Sequence, residues 1–269
     1  MIAQSGPLVT VMGGRGYIGR HLLAYLQRLG VSCWAPERGD AAIFERHLGT
    51  VYYCVGLTAD FRTRPFDTVE AHIGLLRELL QGAQFDQLIY LSSTRVYLGA
   101  ASTHEDQALV VQPQDADDLY KLSKLMGESL ALHSGRNCKV VRLSNVVGGA
   151  DGNPESFVYS LLREAKSGRI VLRSHPDTAK DYIHIDDVVT LLPQIASRGR
   201  QRIYNVATGL QTSHLQWLDF LAARTGCSWT VAQDAPLHRH VRIDNRRIVS
   251  EFPRVWHRLP DDFFASKES

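Results

Sequence analysis

LVTVMGGRGYIG, residues 8–19, decides how this chain begins to fold. Its first five residues are a short run rich in apolar side chains, which is typical of a buried parallel strand. Glycines follow at the spacing G-x-x-G-x-x-G. The next residues have a helical pattern with one apolar stripe, which consists of Ile18, Leu22, Leu26 and Leu29 and is followed by Gly30 as a stop signal. A strand, a glycine turn and a helix in this order predict the start of a βαβ unit.

The glycine turn is suited to a pyrophosphate group. A tight turn needs positions without a Cβ atom, and a helix N-terminus presents unpaired N–H groups and partial positive charge to an anion. Ordinary turns also contain glycines, but the strand before this turn and the helix after it favour a dinucleotide site. We expect Gly13, Gly16, Tyr17, Ile18 and Gly19 to contact the dinucleotide.

Strand and helix patterns alternate through the first half of the chain. Strands are predicted at residues 31–35, 51–55, 88–91 and 139–143, and helices at 69–80, with Thr68 as the cap, and at 118–132. This alternation predicts an α/β fold with a Rossmann-type, doubly wound parallel sheet.

The second half is less regular and begins at a cluster of turn-forming residues, 148–154. We predict helices near 156–165, 187–195 and 215–223, and strands near 170–172, 182–185 and 203–206; no pattern is clear after Trp229. The expected division is a dinucleotide-binding domain of residues 1–147 plus 183–208. A small C-terminal substrate-binding lobe would contain residues 148–182 plus 209–269.

Composition and charge exclude several classes of protein. The 269 residues include 30 Lys and Arg against 28 Asp and Glu, so no basic footprint for nucleic acid is present. No apolar run is long enough to cross a membrane, and residues 1–7 do not have the pattern of a secretory signal. The four cysteines are scattered, and we expect reduced thiols, mostly on strands, in a cytoplasmic protein. The segment 238–240 has metal-like histidine spacing on a strand but no third ligand nearby, so no metal is expected.

The identity of the dinucleotide depends on the end of the second strand. An acidic residue about 20 positions after the glycine turn accepts the ribose hydroxyls in NAD sites, and Glu37 stands at about that position. Arg38 follows directly, and an arginine there can hold the 2′-phosphate of NADP. The two residues favour different cofactors, so both NAD and NADP remain open.

Tyr120-x-x-x-Lys124 is a candidate acid–base pair. A spacing of four places both side chains on one helix face. A tyrosine has a pKa of about 10, too high for a base near neutrality. A positive charge about 4 Å away contributes about 4 kcal/mol at an effective dielectric constant of 20, or about three pKa units. We therefore predict that Lys124 lowers the pKa of Tyr120 towards about 7. Ser93 follows the strand at 88–91, where a hydroxyl can bond to a substrate oxygen.

Six motifs, in order and over about residues 8–210, resemble the extended short-chain dehydrogenase/reductases, also called the NAD-dependent epimerase/dehydratase family. They are Gly13–Gly19, Ser93 with Val96-Tyr97, Tyr120 with Lys124, Arg142–Gly148, Lys180–Val188 and Tyr204–Gly209. The resemblance implies that Ser93, Tyr120 and Lys124 are catalytic and that Tyr120 and Lys124 also contact the cofactor, as do Cys54, Val55 and Gly56. It further implies substrate contacts from Thr94, Asn145, Lys180 and Arg242, and a homodimer formed through the helices at 69–80 and 120–132.

Two departures from the family pattern bear on the reaction. Its dehydratases carry an acidic pair after the catalytic serine or threonine, whereas this chain has Thr94 and Arg95, which argues against dehydration. His72 stands where the family usually has asparagine.

We expect an NAD(P)-dependent oxidoreductase or epimerase that acts on a nucleotide-activated sugar, by keto-sugar reduction or by epimerisation through a keto intermediate. The alternatives are an NADPH-dependent reductase of a non-sugar carbonyl and a non-catalytic dinucleotide-sensing module. Neither nucleic acid nor a membrane is expected as a partner.

Overall fold

Six parallel strands form the central sheet. The computed structural model describes residues 9–57, 61–149, 152–153 and 156–265. The strands are β1 (Val9–Met12), β2 (Cys33–Trp34), β3 (Thr50–Tyr53), β4 (Gln87–Ser93), β5 (Cys138–Leu143) and β9 (Ile203–Val206). Their order is β2-β1-β3-β4-β5-β9, and every neighbouring pair is parallel. The predicted Rossmann-type sheet is confirmed.

Helices cover both faces of this sheet. They are α1 (Tyr17–Arg28) and α6 (Ile185–Arg198) on one face, and α2 (Pro65–Val69), α3 (Leu75–Gly82) and α4 (Asp118–His133) on the other. A π-helical turn, Glu70–Gly74, joins α2 to α3. Residues of β4 alternate between the two cores: Ile89 and Leu91 pack with α1 and α6, whereas Leu88 and Tyr90 pack with α3 and α4. This period of two is the reason that a strand buried on both faces has an almost continuous apolar sequence.

The remaining elements form a second packing unit beside the sheet. Strands β6 (Asn145–Val147), β8 (Ala179–His184) and β10 (Gln211–Ser213) form a three-stranded sheet in the order β10-β8-β6, and β7 (Arg169–Leu172) pairs with β11 (Ser228–Val231). Helices α5 (Phe157–Lys166) and α7 (His214–Thr225) pack around the fully buried Trp217. In contrast, α8 (Arg246–Glu251) belongs to the central sheet, because it contacts β9 and buries Ile248 in the core with α1 and α6. None of the helices in the described ranges is long and apolar enough to span a membrane.

Several local predictions are wrong. Thr68 does not cap a helix, because the helix already begins at Pro65 and the Thr68 hydroxyl donates to the Arg64 carbonyl within it. A proline in the first helical turn loses no hydrogen bond, so this start is favourable. Leu29 follows the last residue of α1 and is 59% exposed rather than buried on the stripe. The segment 238–240 is irregular and is not a strand.

The cysteines and the predicted boundaries differ in smaller ways. Cys33 and Cys138 lie on strands, whereas Cys54 directly follows β3 and Cys227 directly precedes β11. Predicted elements that fall at Leu8 and in the turn-forming cluster at 150, 151 and 154 lie outside the described residues, as does the N-terminal segment 1–7.

Candidate active site

The glycine turn between β1 and α1 depends on the absence of side chains. Gly13 has a φ of +77°, a conformation that favours glycine. A Cβ atom on Gly19 would lie 2.3 Å from the Gly13 carbonyl oxygen, so Gly19 lets the helix pack directly on the turn. Gly16 is the residue before α1, and no side chain caps the helix there. The first N–H groups of α1 are thus left for an anion.

A cavity of about 610 Å³ opens in front of this turn. Gly16, Tyr17 and Ile18 from the turn and Cys54, Val55 and Gly56 from the end of β3 line it. Six of the predicted cofactor contacts therefore share one wall, while Gly13 and Gly19 shape the turn behind it. A cradle without side chains at a helix N-terminus fits a pyrophosphate, and the cavity size is in the range of ligand sites. The residues present thus fit a dinucleotide.

The residues that would distinguish NAD from NADP lie at the surface, outside the lining of this cavity. The Glu37 carboxylate accepts a hydrogen bond from Arg15 of the glycine turn, and both side chains are mostly exposed. Arg38 is exposed as well. The structure therefore joins Glu37 to the phosphate turn through Arg15, a contact that the sequence motif did not predict. It leaves Arg38 available for a phosphate.

Ser93, Tyr120 and Lys124 come together at the inner end of the large cavity. Ser93 is the last residue of β4, and Tyr120 and Lys124 lie on the buried face of α4. The Ser93 hydroxyl lies near the Tyr120 phenol and acts to lower the pKa of that phenol. The Lys124 ammonium donates to the Leu91 carbonyl of β4 at 2.9 Å. The parallel sheet therefore places the serine and the tyrosine within contact across two elements.

The predicted effect of Lys124 on Tyr120 is wrong in this structure. Burial raises the pKa of Tyr120 above its ordinary value, and the charge that opposes this rise is that of Arg95. Burial also lowers the pKa of Lys124 to about 8, with Glu128 and Cys54 acting in the opposite direction. The sequence argument treated Lys124 as an exposed point charge, but both partners are desolvated in the folded chain.

His72 links the cofactor wall to α4. Its Nδ1 lies 2.7 Å from the Ser123 hydroxyl, and its Nε2 accepts a hydrogen bond from the Leu57 N–H at 3.3 Å. The Ser123 hydroxyl in turn donates to the Tyr120 carbonyl at 2.9 Å. This chain of donors places the imidazole proton on Nδ1. Burial and the Lys124 charge lower the pKa of His72 to about 2, so the ring is neutral in its position edge-on to the Tyr120 ring.

A second cavity, of about 420 Å³, opens on the other side of Ser93 and Tyr120. Ser93, Tyr120, Ser144 and Asn145 line both cavities. The smaller one is strongly basic: Arg62, Arg95, Lys180 and Arg239 line it together with His240. Among the described residues of its lining, Asp181 is the one carboxylate, and its two oxygens accept the Thr208 and Gly209 N–H groups.

Three of the four predicted substrate contacts line this smaller cavity. They are Thr94, Asn145 and Lys180. Arg242 does not, because its guanidinium donates to the Gly209 carbonyl. Arg239, three residues earlier, lines the cavity. In an irregular segment the side-chain direction cannot be predicted from the residue type, which explains the error.

Sequence reasoning also missed the importance of Arg95 and Arg62. Arg95 was noted as a departure from an acidic pair, but its guanidinium lies 4.7 Å from the centre of the Phe61 ring and 5.3 Å from that of Tyr120. Arg62 is paired with Asp117. Position 95 directly follows the Ser93-Thr94 pair, and this adjacency is the signal that could have identified it.

A buried ion pair joins the strands and the helix that carry the catalytic candidates. The Arg142 guanidinium makes a two-pronged contact with the Glu128 carboxylate, at 2.6 Å in its shorter arm, and both side chains are 4% exposed. Glu128 also accepts a hydrogen bond from Ser92, next to Ser93. The network fixes β4, β5 and α4 relative to one another at the level of the catalytic candidates.

Comparisons with known proteins were made by sequence and by structure. No curated protein sequence matches the chain. Among solved structures, MoeE5 in complex with UDP-glucuronic acid and NAD has a TM-score of 0.76 at 23% identity, over 93% of this chain and 94% of that one.

Two further structures are similar. TunA, an NAD-dependent NDP-hexosamine 5,6-dehydratase involved in tunicamycin biosynthesis, has a TM-score of 0.76 at 21% identity, over 92% of this chain and 91% of that one. The UDP-glucuronic acid 4-epimerase of Bacillus cereus has a TM-score of 0.74 at 16% identity, over 90% of this chain and 91% of that one. These likenesses show the fold. A family model described as the NAD dependent epimerase/dehydratase family matches residues 9–207, and the chain belongs to that family.

Proposed function

We propose that the chain is an NAD(P)-dependent oxidoreductase or epimerase that moves a hydride to or from a sugar carbon of a nucleotide-activated sugar. The observation that carries this proposal is that Ser93 and Tyr120 line both cavities. A ligand atom held by the Ser93 and Tyr120 side chains is therefore within reach of both the dinucleotide cavity and the basic cavity. Family membership and similar structures that contain UDP-sugars with NAD support the choice of substrate.

The side chains have distinct roles in this proposal. The nicotinamide, when bound, supplies or accepts the hydride. Tyr120 exchanges a proton with the sugar oxygen, because it lines both cavities together with Ser93. The Ser93 hydroxyl orients the same sugar oxygen. Lys124, held by the Leu91 carbonyl, would grip the nicotinamide ribose.

The charge at the junction favours epimerisation or reduction over dehydration. Dehydration of a sugar needs an acid for the leaving hydroxyl and a base for the carbon. Thr94 and Arg95 occupy the positions after Ser93, and Asp181 is held by two backbone N–H groups. The described residues of the basic cavity thus provide no free carboxylate for that chemistry.

We also propose that two copies associate through the predicted helix 69–80, which the structure divides into the end of α2, a π-helical turn and α3, and through α4. Phe66 is 88% exposed, and Val69 on α2 and Met126 on α4 are exposed as well. These apolar side chains support a homodimer, and light scattering of the purified chain tests it.

The function is tested by product analysis. The purified chain is first denatured and any released dinucleotide is quantified. It is then incubated with nucleotide sugars and their 4-keto forms, with each of the four oxidised and reduced dinucleotides. We expect either an epimer without net oxidation, with NAD released from the denatured protein, or a reduced sugar with consumption of NADH or NADPH. Turnover of a non-sugar carbonyl alone, or no binding of any dinucleotide, contradicts the proposal.

A further inference from the structure

Three cations of the basic cavity have no partner within the described structure. Arg95, Lys180 and Arg239 make no hydrogen bond or ion pair through their side chains with any described residue, although all three line the cavity. Arg62, in contrast, is paired with Asp117. The Asp181 carboxylate in the same lining is occupied by backbone N–H groups. The Asp117 and Asp118 carboxylates act on Arg95 only without direct pairing, so an anionic ligand would be the first group to form an ion pair with these three cations.

Arg95 is the cation for which this matters most. Its side chain is half-buried, with the guanidinium over the rings of Phe61 and Tyr120, which pack on each other. Burial lowers the pKa of Arg95, and both burial and the nearby Arg95 charge lower that of Lys180. Holding partly desolvated like charges close together is unfavourable unless an anion compensates them. The site thus holds a charge arrangement that is complementary to an anionic ligand.

The position of Arg95 indicates which part of the ligand carries the anion. Lys180 and the exposed Arg239 can neutralise the diphosphate of a nucleotide sugar, which brings two negative charges. Arg95 instead follows Ser93 and Thr94 directly and lies over the Tyr120 ring, at the reacting end of the cavity. A planar guanidinium matches a carboxylate with two parallel hydrogen bonds.

We propose that Arg95 binds a carboxylate on the sugar ring, and that the substrate is a nucleotide-activated sugar acid. This inference rests on the proposed nucleotide-sugar function and narrows its substrate class. A second role for Arg95, to favour the ionised form of Tyr120, gives a different expectation. In that role, loss of Arg95 affects neutral and acidic sugars equally.

Binding measurements with matched ligands separate these roles. The full chain, saturated with its dinucleotide, is titrated by calorimetry with UDP-glucuronic acid and with UDP-glucose, and with the same two sugars carried on guanosine diphosphate. Within a pair the ligands differ at a single carboxylate. We expect the acid to bind about tenfold or more tightly, since hydrogen bonds between charged groups are the strong ones.

Three variants make the test specific. Arg95→Gln is expected to bring the acid-to-neutral ratio to within about twofold, and Arg95→Lys to keep part of the preference, because a lysine retains charge but not the planar fork. Arg62→Gln is the matched control, since it removes an arginine of the same cavity that is already paired, and it should leave the ratio unchanged. If Arg95→Gln does not fold, as judged by its circular dichroism, the ratio in Arg95→Lys decides.

The outcomes distinguish this inference from the proposed function. Equal binding of acid and neutral sugar by the natural chain, or an equal loss for both in Arg95→Gln, overturns the role of Arg95 in carboxylate recognition. If either result is found and the chain still turns over neutral nucleotide sugars, the proposed function stands and only the role of Arg95 is contradicted. Binding of neither sugar on either nucleotide contradicts both.

Discussion

The two cavities that meet at Tyr120 are built in different ways. One wall of the larger cavity consists of a glycine turn, a helix N-terminus and the end of β3, where a ligand can approach the backbone closely. Its lining also contains three cations that each have a hydrogen-bond partner, Arg20, Arg64 and Lys124. The smaller one is lined by long cationic side chains from separate parts of the chain, Arg95, Lys180 and Arg239 among them. Close approach to the backbone therefore distinguishes the cofactor side, whereas cations without an ion-pair partner among the described residues distinguish the substrate side.

The largest effect is expected where the two cavities join. Tyr120→Phe removes the phenol oxygen but keeps the ring that packs against His72 and Phe61. Turnover should fall by about 10²- to 10⁴-fold, the usual contribution of a positioned acid–base group. Dinucleotide and substrate affinities should stay within about threefold, since the ring remains in place. Steady-state kinetics and calorimetry measure these quantities.

Tyr25→Phe is the matched control, because Tyr25 lies on α1, is partly buried against the core and lines neither cavity. Its turnover should equal that of the natural chain. Turnover by Tyr120→Phe at the level of this control contradicts the assigned role.

Glycine variants test the steric character of the cofactor side. In Gly19→Ala the new methyl group would lie 2.3 Å from a backbone oxygen, so the turn must move, at a cost of about 1–3 kcal/mol in the free energy of unfolding. Gly16 has a φ of −71°, and its Cβ would meet only one atom, at 3.3 Å. Gly16→Ala should therefore fold normally but bind dinucleotide about tenfold more weakly, since the methyl group faces the cavity.

Gly82→Ala at the end of α3 is the control for both glycine variants. Its Cβ would meet only the Phe44 ring, at 3.4 Å, and alanine favours the helix by up to about 1 kcal/mol. Chemical denaturation and dinucleotide titration measure the two effects. Unchanged affinity in Gly16→Ala would show that the phosphates bind elsewhere.

The burial of Lys124 makes the free energy of unfolding depend on pH. The folded chain lowers its pKa from 10.5 to about 8, mainly through burial. Between these values the unfolded chain binds a proton that the folded chain has released, so the free energy of unfolding rises with pH. From about pH 7.5 to about pH 9.5 this contribution should be about 1–2 kcal/mol.

The effect of Lys124 is isolated by comparison with a variant. Lys124→Met lacks the titrating group, and the difference between its denaturation curves and those of the natural chain at the two pH values gives the contribution of Lys124 alone. A difference that does not change with pH, or that changes with the opposite sign, contradicts the proposed burial of the charged lysine.

The smallest effect is expected from salt. Exposed charges are screened at high ionic strength, with a Debye length of about 10 Å at 0.1 M and about 3 Å at 1 M. Nucleotide-sugar affinity should fall several-fold between these salt concentrations, because Arg239 is exposed and has no ion-pair partner among the described residues. Dinucleotide affinity should fall less. Equal salt dependence of the two ligands would remove the distinction between the cavities.

The contrast between the cavities also explains what the sequence could predict. Gly13–Gly19, Ser93 and Tyr120 with Lys124 are local motifs, and strand order in a parallel sheet brings their elements to one edge. The family and the fold followed from them. The spacing of four between Tyr120 and Lys124 did not predict that Lys124 is buried and its pKa lowered, because desolvation depends on tertiary packing.

The residues that line the basic cavity were harder to predict from the sequence. Arg242 was expected to face the substrate, but Arg239 does, since neither lies on a regular element with a fixed side-chain direction. Arg95 and Lys180 are far apart in sequence and become neighbours only through the pairing of β4 with β5 and of β6 with β8. No local sequence pattern predicts that two residues so far apart in the chain become neighbours.

A crystal structure of Tyr120→Phe with dinucleotide and a nucleotide sugar tests the central claim most directly. The claim is that the two ligands meet at Ser93 and Tyr120. We expect the nicotinamide in the larger cavity and a sugar oxygen within about 3 Å of the Ser93 hydroxyl, with the diphosphate of the sugar nucleotide near Lys180. A sugar bound out of reach of Ser93, or a dinucleotide bound away from Gly16, would contradict it.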